Sequence, residues 1–295
     1  MCDYSEKYKM HELTPVQEIG GMLFKRDDLY MPFDDVKLSG GKVRQCISLI
    51  GNNQKYIAEQ CGGLVVTATS VNSPQGLIVS RVAKEFGFNS CIYVGNTNMS
   101  SVKRNKMLAQ VLAIGGDINC ECGSAYENVL SYHINKRRES GDKFFRVKFG
   151  INLDDNPGAL IDSVARQVQN LPRDLDCLVI PCGSGITMGG ILRGLIEYDI
   201  HPKRVVGIQI SGIDQTQTIE RILGGAHFDY ELIVDRTYPY SKRVGVNLVP
   251  GIQLDPIYEG KAMDYLLREM RSEIEDKKVC FWVVGNSNIV RNAKL

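Results

Sequence analysis

The sequence predicts an α/β protein of two lobes, each an open, mostly parallel sheet flanked by helices, and three observations carry that expectation. Short apolar runs rich in β-branched residues alternate with amphipathic stretches, the pattern of strand, crossover helix and next parallel strand. Glycine-bearing turns follow two of those runs directly, at residues 70–76 and 181–190. The 295 residues, 43% hydrophobic and 23% charged, suffice for one large core or two modest ones.

Strands are expected at residues 63–67, 91–94, 175–180, 205–210 and 279–284, where apolar side chains cluster between turn residues. Each but the last leads through a loop into a helical stretch. Residues 74–86 form one such helix, with Pro74 in the first turn and Gly87 after the last, both favoured places. Helices at 102–114 and 125–138 follow the same logic. The lobes divide as 44–155 for the smaller and 1–43 plus 156–295 for the larger. Ligands of open α/β sheets bind beyond the carboxyl ends of strands, which directs attention to the loops after Thr67 and Ile180.

Composition excludes several classes. Lysine and arginine total 35 against 34 acids, so the surface as a whole has no field to hold a polyanion. The run Lys136, Arg137, Arg138 reads as a solvated helix face. Nine cysteines are scattered without a CxxC pair, the pattern of reduced thiols, and Cys120 and Cys122 have no nearby histidine, so no metal site is expected. No apolar run approaches the roughly 18 residues of a membrane span, and the first residues are polar. A cytoplasmic protein is the expectation.

Four segments carry chemistry. Residues 181–190 place Gly183, Ser184, Gly185, Ile186 and Thr187 between a strand and a helix start, where glycines turn N–H groups toward a phosphate and the helix dipole favours an anion. Read alone, the turn serves equally for close helix packing, or for a dinucleotide through a loose GxGxxxG pattern. Residues 39–44 set Lys42 behind Gly40 and Gly41; Val36 and Val43 stand where a nucleotide P-loop needs Gly and Ser or Thr. A lysine desolvated in a cleft has a lowered pKa and can form a Schiff base. Ser70, Asn72 and Ser73 precede the 74–86 helix, where capping is the plainer role. Residues 254–263 read locally as a turn into a helix.

In this order the segments resemble fold-type II pyridoxal-phosphate (PLP) enzymes, and more narrowly the aminocyclopropane-carboxylate deaminase and D-cysteine desulfhydrase branch. Lys25, Arg26, Asp27, Asp28 followed by Gly40, Gly41, Lys42, Val43, Arg44 is similar to that branch's KRDD and GGNKxRK, and residues 255–263 are close to its DPVYEGKxM. The resemblance implies that Lys42 carries the cofactor as a Schiff base and moves the substrate proton. It implies that residues 183–187 hold the cofactor phosphate, that Asn72 faces the ring, that Glu259 meets the pyridine nitrogen and that Tyr258 lies beside the substrate. Ser70 or Ser73 would bind the substrate carboxylate or act as nucleophile, and Tyr238 or Tyr240 would supply a second catalytic tyrosine. Departures gather around the substrate: Ile186 replaces a glycine, the span from Asn72 to Gly87 is two residues longer, residues 282–286 replace a HTGG-like turn, and 238–250 is short and basic.

The implied activity is a PLP-dependent lyase or deaminase acting on a small amino acid, in a homodimer. An alternative is a PLP enzyme repurposed for an unusual substrate, such as an amino acid attached to a modified DNA base, by decarboxylation; nucleic acid enters only in that reading. A Rossmann-type dinucleotide oxidoreductase is a further alternative. It needs an acid at the end of the next strand, whereas Asp214 comes only after Ser211, Gly212 and Ile213, and it leaves Lys42 and Glu259 unexplained. A catalytically silent protein retaining the fold is the last.

Overall fold

Apolar β-branched runs build two sheets, and the computed structural model describes residues 4–151, 158–210, 212–285 and 287. The strands are β1 Val16–Ile19, β2 Met22–Arg26, β3 Leu64–Thr69, β4 Asn89–Val94, β5 Asp117–Asn119, β6 Phe145–Val147, β7 Cys177–Cys182, β8 Val205–Gln209, β9 Glu231–Val234 and β10 Val279–Val283. One sheet has the order β5-β4-β3-β6 and is parallel throughout; Thr67 on its central strand pairs with Ile92 and Val147. The other has the order β1-β2-β10-β7-β8-β9 and is parallel except for the β1–β2 pair. All five expected strands are present, with ends shifted by a few residues. Five more were not foreseen because they are short or flank the sheets, where half-exposed patterns such as that of β9 lack an apolar signature.

Two cores result. Val65, Ile78, Val79, Val82 and Ile92 pack around the four-stranded sheet with Ile47 and Ile50 of the helix Gly41–Asn52. Leu178, Ile180, Ile191, Leu195 and Trp282 fill the six-stranded one. The N-terminal stretch serves both, since β1 and β2 extend the large sheet while Tyr8, Tyr30, Phe33 and Leu38 pack into the small-sheet core. The expected boundary between residues 155 and 156 lies outside the described residues. No described helix is long and apolar enough to cross a membrane.

The helix expected at 102–114 is two helices, Met99–Arg104 and Lys106–Ala113. Asn105 breaks it: its side-chain oxygen accepts from the Met107 and Leu108 N–H groups and so caps a new helix. The helix Gln75–Glu85 follows Pro74 as anticipated, and Glu127–Glu139 replaces 125–138.

The polar segment Lys25 to Asp28 is buried. Lys25 Nζ donates to the Thr14 carbonyl and Asn170 Oδ1, both at 2.7 Å, and Asp27 accepts from Thr14 Oγ1, Trp282 Nε1 and Arg44. Gly40, at φ +98°, lies against the turn after β10: a β-carbon there would stand 2.2 Å from the Val284 carbonyl oxygen.

Two stability measurements test this packing. Gly40→Ala meets both an unfavourable φ and that carbonyl, so urea unfolding should show a loss of about 2 kcal/mol or more. Burial lowers the Lys25 pKa to about 8. Below that pH both folded and unfolded chains hold the proton and the cost of burying the charge is undiminished. From about 8 to the ordinary lysine value of 10.5 only the unfolded chain keeps its proton, so stability rises with pH. Wild type should therefore gain on Lys25→Met across that window by up to about 3 kcal/mol, and a flat difference curve would contradict the buried ammonium.

Candidate active site

Lys42 stands in the first turn of the helix Gly41–Asn52, held to the turn after β10 by the Gly41 N–H bonding the Val284 carbonyl at 3.0 Å. Its side chain is half-buried and makes no hydrogen bond or ion pair among the described residues; Nζ lies 5.7 Å from the centre of the Tyr258 ring. Burial lowers its pKa, opposed by the nearby Glu259 and Asp255 carboxylates and the Cys182 thiol. The balance favours a free amine at lower pH than an ordinary lysine allows.

Glu259 opens the helix Glu259–Glu269 and is buried. One carboxyl oxygen accepts the Gly285 N–H at 3.0 Å; the other is buried without a partner. Burial, with Asp255 close by, pushes its pKa well above the usual carboxylate range. A buried polar atom with no partner is costly unless a ligand completes it. Asp255 holds the turn ahead of this helix, accepting from the Ile257 and Tyr258 N–H groups at 2.8 and 3.2 Å and from the Ser287 N–H and hydroxyl.

Across from Glu259, β7 runs into Gly183, Ser184 and Gly185, the last at φ +79°, and Ile186 and Thr187 begin the helix Ile186–Glu197. Glycine is required at 183, where a β-carbon would lie 2.9 Å from the Tyr258 ring. The Gln209 amide fixes the turn from behind by donating to the Gly183 carbonyl at 2.8 Å. Lys42, Glu259, Asp255, Gly183, Ser184 and Thr187 thus surround one inner cavity of about 70 Å³. Cys182 also lines it, but burial pushes its thiol up to about 12, so it stays protonated there. Among the described residues no group of three or more His, Cys, Asp or Glu is arranged to hold a metal ion.

The inner cavity opens into a cleft of about 640 Å³ lined by Ser70, Ser73, Tyr240, Tyr258 and Ile186 together with Lys42. Ser70 Oγ is buried without a hydrogen-bond partner, whereas Ser73 Oγ accepts the Gln75 N–H at 3.3 Å in a capping bond. Tyr240 and Tyr258 share a hydrogen bond of 2.7 Å between hydroxyls, and burial raises the Tyr258 pKa well above that of an ordinary phenol. Two expected residues are not brought in: Asn72 and Tyr238 line neither cavity. The turn at Ser70–Ser73 directs its serines, not Asn72, toward the cleft.

Two side chains escaped the sequence reading. Gln75 is buried; its amide nitrogen donates to Thr67 Oγ1 and the Lys148 carbonyl, both at 2.9 Å, while its oxygen accepts the Gly150 N–H at 2.9 Å. Lys261 is also buried and donates to the Pro239 and Tyr240 carbonyls, each at 2.9 Å. It had figured only as a letter in the 255–263 match. Its ammonium anchors the loop that brings Tyr240 to Tyr258. Lys261→Met should accelerate amide exchange at residues 238–241 about tenfold or more, since two charge-assisted bonds are lost; unchanged exchange would show the loop held by other contacts.

The residues present fit a planar, phosphate-bearing pyridine. A glycine turn at a helix start, an unpartnered buried Glu259 oxygen and a partly desolvated lysine amine line one cavity, groups that would suit a phosphate, a ring nitrogen and an aldehyde carbon. A family model described as pyridoxal-phosphate dependent enzyme matches residues 9–268. An O-seryl-dTMP PLP-dependent decarboxylase of Salmonella phage ViI is 27% identical, the match covering 99% of this chain and 84% of that protein. A putative 1-aminocyclopropane-1-carboxylate deaminase of Pyrococcus horikoshii is 23% identical over 92% of this chain and 89% of its own length. The crystal structure of an ACC deaminase homologue superposes with a TM-score of 0.74 at 22% identity, covering 93% and 89% of the two chains. With a family model spanning most of the sequence and a fold shared with that structure, this chain belongs to the pyridoxal-phosphate dependent enzymes of fold type II.

Proposed function

We propose that the protein is a lyase or deaminase acting at the α-carbon of an amino acid, of the aminocyclopropane-carboxylate deaminase and D-cysteine desulfhydrase kind. The observation that carries this is the inner cavity itself, with the Lys42 amine between a glycine phosphate turn and the unpartnered Glu259 oxygen. PLP, when bound, supplies an electron sink for charge developing at the substrate α-carbon. The chain supplies the rest. Lys42 would hold the cofactor through its amine, and that amine is the group placed to take or return the α-proton. Glu259 would meet the ring nitrogen and favour its protonated form, and Gly183, Ser184, Gly185, Ile186 and Thr187 would hold the phosphate through backbone N–H groups and hydroxyls. Ser70, whose hydroxyl is unpartnered, is the better candidate to bind the substrate carboxylate, with Ser73 beside it at the helix start. Tyr258 stays protonated and passes a proton along its bond to Tyr240. Asn72 has no part in this scheme. A cytoplasmic homodimer belongs to the proposal on family resemblance.

A second reading is decarboxylation of an amino acid carried on a larger group. It ranks below the first and rests on the size of the outer cleft and on the substrate named for the phage relative, which is 27% identical.

The absorbance of purified protein and of Lys42→Ala, each with added PLP, tests the common basis. A band at about 410–430 nm in the wild type and none in the variant is expected; a wild-type chain that stays colourless would sink both readings. Ammonia or sulfide release from aminocyclopropane-carboxylate or D-cysteine then supports the first reading, and inertness toward both counts against it.

A further inference from the structure

The loop after β6 reaches the site in a strained conformation. Gly150 and Ile151 stand at φ +77° and +61°, and Ile151 is the one β-branched side chain in the left-handed region among the described residues. A branched side chain crowds its own backbone there, so the conformation persists only where surrounding contacts impose it. The Ile151 side chain is fully buried in the small-sheet core, and its N–H bonds the Lys148 carbonyl at 3.1 Å. The buried Gln75 amide completes the turn. Its nitrogen donates to the same Lys148 carbonyl and its oxygen accepts the Gly150 N–H, each at 2.9 Å, while Thr67 Oγ1 anchors it to β3.

The outer side of this turn meets the phosphate turn. A β-carbon on Gly150 would lie 2.5 Å from Ser184 Oγ, 2.9 Å from Ser184 Cβ and 3.2 Å from Ile186 Cγ1. The neighbours of Ser184 are bounded by the large lobe itself: Gly183 by the Tyr258 ring and the Gln209 amide, Gly185 by Gln215 and Thr218. Ser184 is bounded by bare backbone from the other sheet. A phosphate is held by several N–H groups and hydroxyls at once, and each bond weakens steeply with misplacement. We propose that Gln75 is a positioning residue for the cofactor phosphate, acting through Gly150 on Ser184. Gln75 lines the outer cleft and not the inner cavity, so it acts at one remove. Its own N–H bonds Ser73 Oγ, so the serine turn offered to the substrate and the turn offered to the phosphate share one fixed point. The inference rests on the PLP reading and holds for either substrate class.

The test is a pair of double-mutant cycles read by PLP titration and by the 31P resonance of bound PLP. Gln75→Met and Gly150→Ala should each weaken PLP about tenfold or more and move the resonance, whereas in a Ser184→Gly background, which removes the atoms that Gly150 meets, each should cost no more than about twofold. Urea unfolding of the cofactor-free chains reports any general loss of stability, which the Ser184→Gly background leaves in place. If Gln75→Met does not fold, the Gly150→Ala cycle decides alone. Losses of affinity that are the same with and without the Ser184 side chain, or a Gly150→Ala protein that binds PLP as wild type does, overturn the inference and leave the PLP reading standing. A wild-type chain that binds no PLP is a different failure, that of the reading beneath, and takes the inference with it.

Discussion

A buried ion pair governs the placement of the reactive lysine. Asp27 and Arg44 are both fully enclosed, their charged groups 3.4 Å apart, and taking two such charges out of water costs several kcal/mol per ion unless they are well partnered. The partners come from three directions: the Thr14 hydroxyl, the Trp282 indole N–H and the face of Tyr30, 4.2 Å from the guanidinium. These contacts join the turn after β2, the strand β10 and the helix that begins at Gly41. Lys42 is two residues from Arg44 on that helix, and the turn after β10 also bonds Glu259 through the Gly285 N–H. One carboxylate therefore sets the spacing between the amine and the acid that face the same cavity.

The parts of this arrangement legible in the sequence are those that depend on neighbours in the chain. Apolar runs marked five strands, and glycines before Lys42 and after β7 marked two turns that line the cavity, where a β-carbon would stand 2.2 Å from the Val284 carbonyl at Gly40 and 2.9 Å from the Tyr258 ring at Gly183. What escaped depends on distant partners. A strand beginning the Lys-Arg-Asp-Asp stretch reads as polar surface until Thr14, Asn170 and Trp282 close around it. Asn105 looked like an ordinary helix residue because nothing in its periodicity announces a cap. Which of Ser70, Asn72 and Ser73 reach the cleft turns on the direction of one turn, which no spacing rule resolves.

The site divides by chemistry as well as by space. Around the inner cavity Asp255 is held by a serine and two amides and the 183 turn by Gln209. Such rigidity suits a cofactor of fixed shape, whose charges must meet groups already in place. The outer cleft is lined by longer, solvated side chains, and here too the sequence departs from the pattern it otherwise resembles. Lys42, Gly183, Ser184 and Tyr258 line both spaces and join them.

Gln75 has a mechanical consequence. Its amide spans β3 and the 148–150 loop, with the carbonyl oxygen engaged by Gly150 and the nitrogen by Thr67 and Lys148. Replacing it by any shorter or one-sided group leaves at least one of those backbone groups unmet, so the loop is riveted to the strand and does not swing by itself. Any movement of β3 would therefore carry Lys148 and Phe149, which line the cleft, along with it.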